Sequence, residues 1–237
     1  MTRAAGGVPG ASAPEAHDIG PRLWLIASLV PLGVYGPTNL DPRLRDLDWV
    51  AEVAVGHEAV NEFLARSTST VVVPMKLFTM FSSIDKAIGD VRARRRTIDR
   101  AIRHVAGCEE WGIRVTRRPL VTPTPSDGRL PPTGTGFLRA RKAVRDAGAG
   151  ARSSAIAAAD AAFARLKRCA RDAHVRERRA EPGSNPPILE AAFLVRASAR
   201  ARFKAEARRQ APILARAGVD LAVTGPWPAY HFVGRDA

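Results

Sequence analysis

His57 and Glu58 occupy the first two positions of the His-Glu-x-x-His pattern, in which one helix face offers two imidazoles to zinc and a carboxylate to the attacking water. The pattern fails at its last position, where Asn61 stands in place of the second imidazole. His17, His104, His174 and His231 have no Cys, His or carboxylate at ligand spacing. Gly134-x-Gly136 lacks the third glycine of a dinucleotide cradle and follows a Pro-rich stretch instead of a strand. No phosphate loop and no nucleophile elbow occurs. Cys108 and Cys169 share no short metal or redox spacing and fit the reduced thiols of a cytoplasmic protein. These residues point away from an enzyme: they assemble no catalytic set, no metal ligand set and no cofactor site.

Two other constellations carry more. The first is aromatic. In Gly225-Pro-Trp-Pro-Ala-Tyr-His-Phe232, Pro226 and Pro228 fix φ and bias their predecessors to extended geometry, so Trp227 is presented on a stiff backbone. Tyr230 and Phe232 alternate and share one side if the tail is extended. Two readings follow: a clasp that folds back and pins the second domain, or an aromatic anchor for a partner. The second constellation is basic. The net charge is +14, and of 37 basic residues only Lys76, Lys86, Lys142, Lys167 and Lys204 are not Arg. More than half of the excess lies between Arg139 and Arg179. Arg165, Arg168 and Arg171 are the candidates for electrostatic docking onto an acidic surface; a solvated basic face is the plainer reading.

Elements must position these groups. Met1 to Pro21 is rich in Gly, Ala and Pro without periodicity and reads as a disordered tail (1–21). Leu23 to Leu29 has strand length, and the apolar run to Val34 is too short to span a bilayer. Trp49 to Val55 reads as a second strand, Val60, Phe63 and Leu64 as a helix face, and Thr70 to Val73 as a strand stopped by Pro74. Ser83 caps a helix running to Gly107, and Glu109 to Val115 follows as a strand. Residues 117–135 hold five prolines and read as a linker. A long helix is expected from Gly136 to about Arg179, weakened at Gly148 and Gly150. Ile188 to Val195, Arg200 to Ala217 and Asp220 to Thr224 then give strand, helix and strand. Alternating strands and amphipathic helices predict an α+β protein of two small domains, 22–116 and 136–237, arranged as two ferredoxin-like halves.

Thr70 to Phe81, Glu110 to Gly112, Gly134 to Arg141 and Val223 to Phe232, taken in that order, resemble segments of the GvpF/GvpL gas vesicle family. Val223 to Phe232 resembles its closing Gly-Pro-Trp-Pro-Pro-Tyr segment, with Ala229 replacing one proline. Thr70 to Phe81 resembles the family's strand ending in Pro-x-x-Phe-x-x-x-Phe, through Pro74, Phe78 and Phe81, spaced here as Pro-x-x-x-Phe-x-x-Phe; Phe78-Thr79 lacks the intervening glycine. Glu110-Trp111-Gly112 resembles its Glu-Trp-Gly strand, and Gly134 to Arg141 resembles the start of its long helix, with Phe137 for Tyr. The resemblance implies a ferredoxin-like first domain and a second domain on a related plan, with a long helical arm and an aromatic, Pro-rich tail. It implies structural roles for Gly225, Pro74, Phe78, Phe81 and Trp111. By their own residue types, Pro74, Phe78 and Phe81 read as core packing at the domain junction or as a partner-binding patch. It also implies a cytoplasmic, vesicle-associated role in gas vesicle biogenesis, with the shell protein GvpA and other gas vesicle proteins as partners. A basic nucleic-acid-binding module is the alternative, though the chain has no familiar recognition motif and no aromatic interleaving.

Overall fold

The computed structural model describes residues 7–66, 70–118, 134–176 and 186–233. The chain divides into two compact units: Met1–Gly107 with Trp227–Ala237, and Cys108–Pro226. This differs from the expected halves at both ends. The strand that begins at Cys108 belongs to the second unit, and the closing tail belongs to the first. Most of the expected linker, residues 119–133, lies outside the described residues.

In the first unit, β1 (Glu15–Gly20) and β2 (Leu23–Ala27) form an antiparallel hairpin. The expected disordered tail is thus corrected over Glu15–Gly20. Its Gly- and Pro-rich flanks conceal a short strand whose Ile19 is buried. The turn is made by Gly20 and Arg22, both at positive φ. Two short helices follow, α1 (Leu32–Tyr35) and α2 (Pro37–Arg43), and then α3 (Leu47–Ala65).

Trp49 to Val55, expected as a strand, is the first half of α3. The Asp46 carboxylate accepts from the backbone N–H groups of Asp48 and Trp49, each at 3.2 Å, and so satisfies two otherwise unpaired donors of the first turn. Trp49 and Val53 then share one buried helix face at i and i+4. That face packs with Tyr35 and Phe78 into a small core. Thr70 to Val73 joins no strand ladder. Ser83 caps α4 (Ile84–Ala93) by accepting from Lys86 N–H at 3.3 Å, and the single helix expected to Gly107 is interrupted at Arg94 before α5 (Arg95–Val105). The hairpin covers α4 through Ile19, Leu25, Ala87 and Val91.

β1 and β2 are the only strands described in this unit, so the expected ferredoxin-like first domain is corrected. The ferredoxin-like order belongs to the second unit. There β3 (Cys108–Arg117), α6 (Gly134–Lys167), β4 (Asp172–Val175), β5 (Leu189–Arg196), α7 (Arg200–Arg216) and β6 (Val219–Trp227) follow as βαββαβ. The sheet order is β4-β5-β3-β6, which places β5 between β3 and β4 as a split βαβ requires. β5 runs antiparallel to both β3 and β4.

The long helix stops at Lys167, short of the expected Arg179. Ala173, within the span expected as helix, is instead paired with Phe193 across the sheet. No break occurs at Gly148 or Gly150, because the flanking alanines and arginines are strong helix formers. One sheet face, carrying Trp111, Ile113, Val115, Ala191, Phe193 and Val195, packs with Ala155, Ala159, Ala162 and Leu166 of α6 and Phe203, Ala207 and Leu214 of α7. Phe193 sits at the centre, with the rings of Phe163 and Phe203 each 5.4 Å away.

Candidate functional site

The failed zinc pattern on α3 has another use. One helical turn brings His57 and Asn61 to the same face, with Glu58 beside them. Tyr230, in the single 3₁₀ turn Tyr230–Phe232 of the tail, seats its hydroxyl among them. The hydroxyl donates to a Glu58 carboxylate oxygen and accepts from Asn61 Nδ2 at 2.8 Å. The other Asn61 N–H returns to the His57 carbonyl at 3.1 Å, with His57 Nδ1 3.3 Å from the same nitrogen. Asn61 is 8% exposed, so its amide needs these partners. The His57 and Tyr230 rings lie 6.4 Å apart.

Electrostatics follow from this enclosure. Burial, then the bond to Glu58 and its negative charge, holds the Tyr230 phenol well above its ordinary range. Burial holds the His57 imidazole below its ordinary range, so it stays neutral and Nδ1 can act as an acceptor. Both groups favour their uncharged forms, which suits a structural lock. Among the described residues, no group of three or more His, Cys, Asp or Glu is placed to hold a metal.

The tail's residues divide sharply. Pro228, Ala229 and Phe232 are buried, and the Phe232 ring lies 6.4 Å from that of His104 on α5. The tail is therefore a clasp on the first unit. This corrects the expectation that it pins the second domain; a turn, not an extended run, brings Tyr230 and Phe232 inward. Trp227, at the end of β6, remains 41% exposed, and Pro226 is exposed beside it.

Gly225 is structural in a plain sense. Its φ is +118°, and a Cβ there would stand 2.8 Å from the Glu110 carbonyl oxygen and 3.3 Å from Trp111 Cα. Trp111 is buried against Phe203, ring centroids 6.1 Å apart, with Lys204 Nζ 5.7 Å from its ring centre. Pro74 is buried. Phe78 stacks on Trp49 at 5.8 Å with its own φ at +61°, the left-handed conformation a glycine would hold more cheaply. Phe81 is 39% exposed, which corrects its expected place in a core.

Arg165, Arg168 and Arg171 are all exposed around the C-terminal end of α6. Arg202 of α7 reaches the same end, donating to the Arg168 carbonyl at 2.6 Å. That bond places a fourth guanidinium in the basic group and satisfies one of the helix's terminal carbonyls. Sequence reasoning missed Arg202, and it missed His57, Glu58 and Asn61 as the tail's receptor. The available signal was a polar i, i+1, i+4 set, on a helix that also carries Asp48, Glu52 and Glu62.

No helix among the described residues is long and apolar enough to cross a membrane. The family model for gas vesicle synthesis protein GvpL/GvpF matches residues 7–234. Gas vesicle protein L of Streptomyces sp. (strain CB03234) is 31% identical over 241 residues, covering 92% of this chain and 86% of that protein. The crystal structure of gas vesicle protein GvpF from Anabaena sp. PCC7120 superposes with a TM-score of 0.63 at 12% identity, over 96% of this chain and 88% of the other. GvpF from Microcystis aeruginosa gives 0.51 at 11% identity, over 76% and 77%. These two show the same fold. With its α+β architecture and its match along nearly the whole length, the chain belongs to the GvpL/GvpF family of gas vesicle proteins.

Proposed function

We propose that this protein is an assembly factor or minor structural component that binds the small hydrophobic shell protein GvpA and supports vesicle formation. The observation that carries the reading is the split within the tail. Tyr230 and Phe232 are consumed in the clasp, while Trp227 is held exposed on the same stiff backbone. An exposed Trp presented on a stiff backbone is suited to anchor a partner, because Trp is enriched among the residues that dominate interface energetics. Arg165, Arg168 and Arg171, together with Arg202, supply a basic region that would speed encounter with acidic partners.

Deleting the gene from a complete vesicle cluster, scored by pressure-collapsible light scattering, tests the role. Loss of scattering restored by the wild-type gene supports it, and undiminished vesicles refute it. Co-purification of GvpA with wild-type protein but not with Trp227→Ala tests the anchor. The basic region also supports a second reading, a nucleic-acid-binding module. A gel-shift series in rising salt decides that reading, because phosphate contacts would give affinity that falls steeply with ionic strength.

A further inference from the structure

The N-terminal half of α6 extends beyond the core that its C-terminal half builds. Every side chain described from Phe137 to Ser154 is exposed, whereas Ala155, Ala159, Ala162 and Leu166 are buried. The two halves present the same face. Phe137 stands eighteen residues before Ala155, and Val144 eighteen before Ala162, which is five whole turns in each case. The seam that packs on the sheet thus continues into solvent as Phe137, Val144 and Ala151, seven residues apart.

The flanks of this seam are unequal. At about 100° per residue, Arg141, Arg145 and Arg152 line one side, and Ala143, Ala147 and Ser154 line the other. From 137 to 154 there are five basic residues and one acid, Asp146, which makes only an exposed 3.8 Å contact with Arg145.

We propose that this half of α6 is a docking helix for a partner helix whose apolar row is flanked by Asp or Glu. An apolar seam with a charged row on one side is how paired helices select partner and orientation. The alanine-lined flank permits close approach of the second helix. A second copy of this chain is disfavoured: an antiparallel pair would bring like Arg rows together, and a parallel pair would set each Arg row against an uncharged Ala flank. A bilayer surface is the poorer occupant, because large apolar groups are sparse on the seam and limit the area the helix could bury in lipid.

The test uses the full-length chain expressed with a complete vesicle cluster. The photoreactive residue p-benzoylphenylalanine replaces Val144 or, on the opposite face, Ser153. The expected result is an adduct from position 144 and not from 153, with a cross-linked peptide that carries carboxylates beside an apolar row. Replacing Arg141, Arg145 and Arg152 with Glu should lower the adduct about tenfold, and exchanging the partner's carboxylates for Lys should restore it. Where the Glu triple loses helical circular dichroism, the Gln triple serves in its place.

Equal adducts from both positions, no adduct, a self-adduct, a peptide without carboxylates, or indifference to the Arg changes would overturn the proposal. So would arm-dependent binding to phosphatidylserine vesicles with no protein adduct. The inference stands apart from the vesicle reading: an acidic helix from a protein outside the cluster would support the arm and count against the vesicle role.

Discussion

Replacing Tyr230 with Phe removes one oxygen and tests whether the tail is locked by chemistry or only by shape. In the wild type that oxygen donates to the Glu58 carboxylate and accepts from Asn61 Nδ2 at 2.8 Å. A hydrogen bond to a charged group contributes about 1.5–3 kcal/mol. Asn61 keeps its bond to the His57 carbonyl, so the second loss is only partial. The expected destabilisation is therefore about 2 kcal/mol, which in a protein of this size lowers Tm by roughly 4–8 °C.

The pH dependence gives a second handle. The folded phenol titrates above its unfolded value, so the contribution is fully present below the unfolded pKa of about 10 and is lost as pH rises through the folded one. The gap between wild type and Tyr230→Phe should accordingly be constant at neutral pH and shrink above about pH 10. Tyr35, whose phenol is also raised by burial, contributes equally to both proteins and cancels. Thermal unfolding followed by circular dichroism, with a double-mutant cycle against Glu58→Gln, reads the coupling. An unchanged Tm, or a coupling energy below about 0.5 kcal/mol, would refute the lock and leave the tail held by Phe232 and its neighbours alone.

Four further outcomes follow from the same geometry. Gly225→Ala should cost about 2–4 kcal/mol in denaturant unfolding, because the new Cβ meets the Glu110 carbonyl oxygen at 2.8 Å on backbone no L-residue favours. Phe193→Ala, at the centre of the second unit's core, should cost about 3–5 kcal/mol by the same measurement. Trp227→Ala should shift stability by less than about 1 kcal/mol, since its side chain is half in solvent, yet lower vesicle yield; a large stability loss would make it a packing residue instead. His57 is held neutral by burial, so its contribution is present above its unfolded pKa of about 6.5 and is lost as pH falls through the lower folded value. His57→Gln should therefore flatten the acid side of the stability profile, measured as Tm from neutral pH down to about pH 5.

The amino-acid order alone determined a good deal of this protein. Capping at Ser83, the glycine stops at 107 and 218, the apolar alternation of Trp111-Ile113-Val115 and the strand-helix-strand close of the chain all act within a few residues, where propensity and periodicity are decisive. The closing motif and its family were legible for the same reason, because a run such as Gly-Pro-Trp-Pro constrains its own backbone.

Other features were settled only by contacts between residues far apart in sequence. Trp49 to Val55 could alternate as a strand or turn as a helix; the Asp46 cap and the buried face with Tyr35 and Phe78 chose the helix. Ala173 fell within the span expected as helix, but pairing with β5 across the sheet drew it into a strand. The ferredoxin-like order lies in the second unit because strand order is a property of pairing, which no single segment encodes. Most plainly, Glu58 and Asn61 are 172 and 169 positions from Tyr230, with His57 on the same helix turn. Their spacing matched a broken metal motif until the tail was placed on them, since a hydrogen-bonded network belongs to the pair of elements that make it and to neither alone.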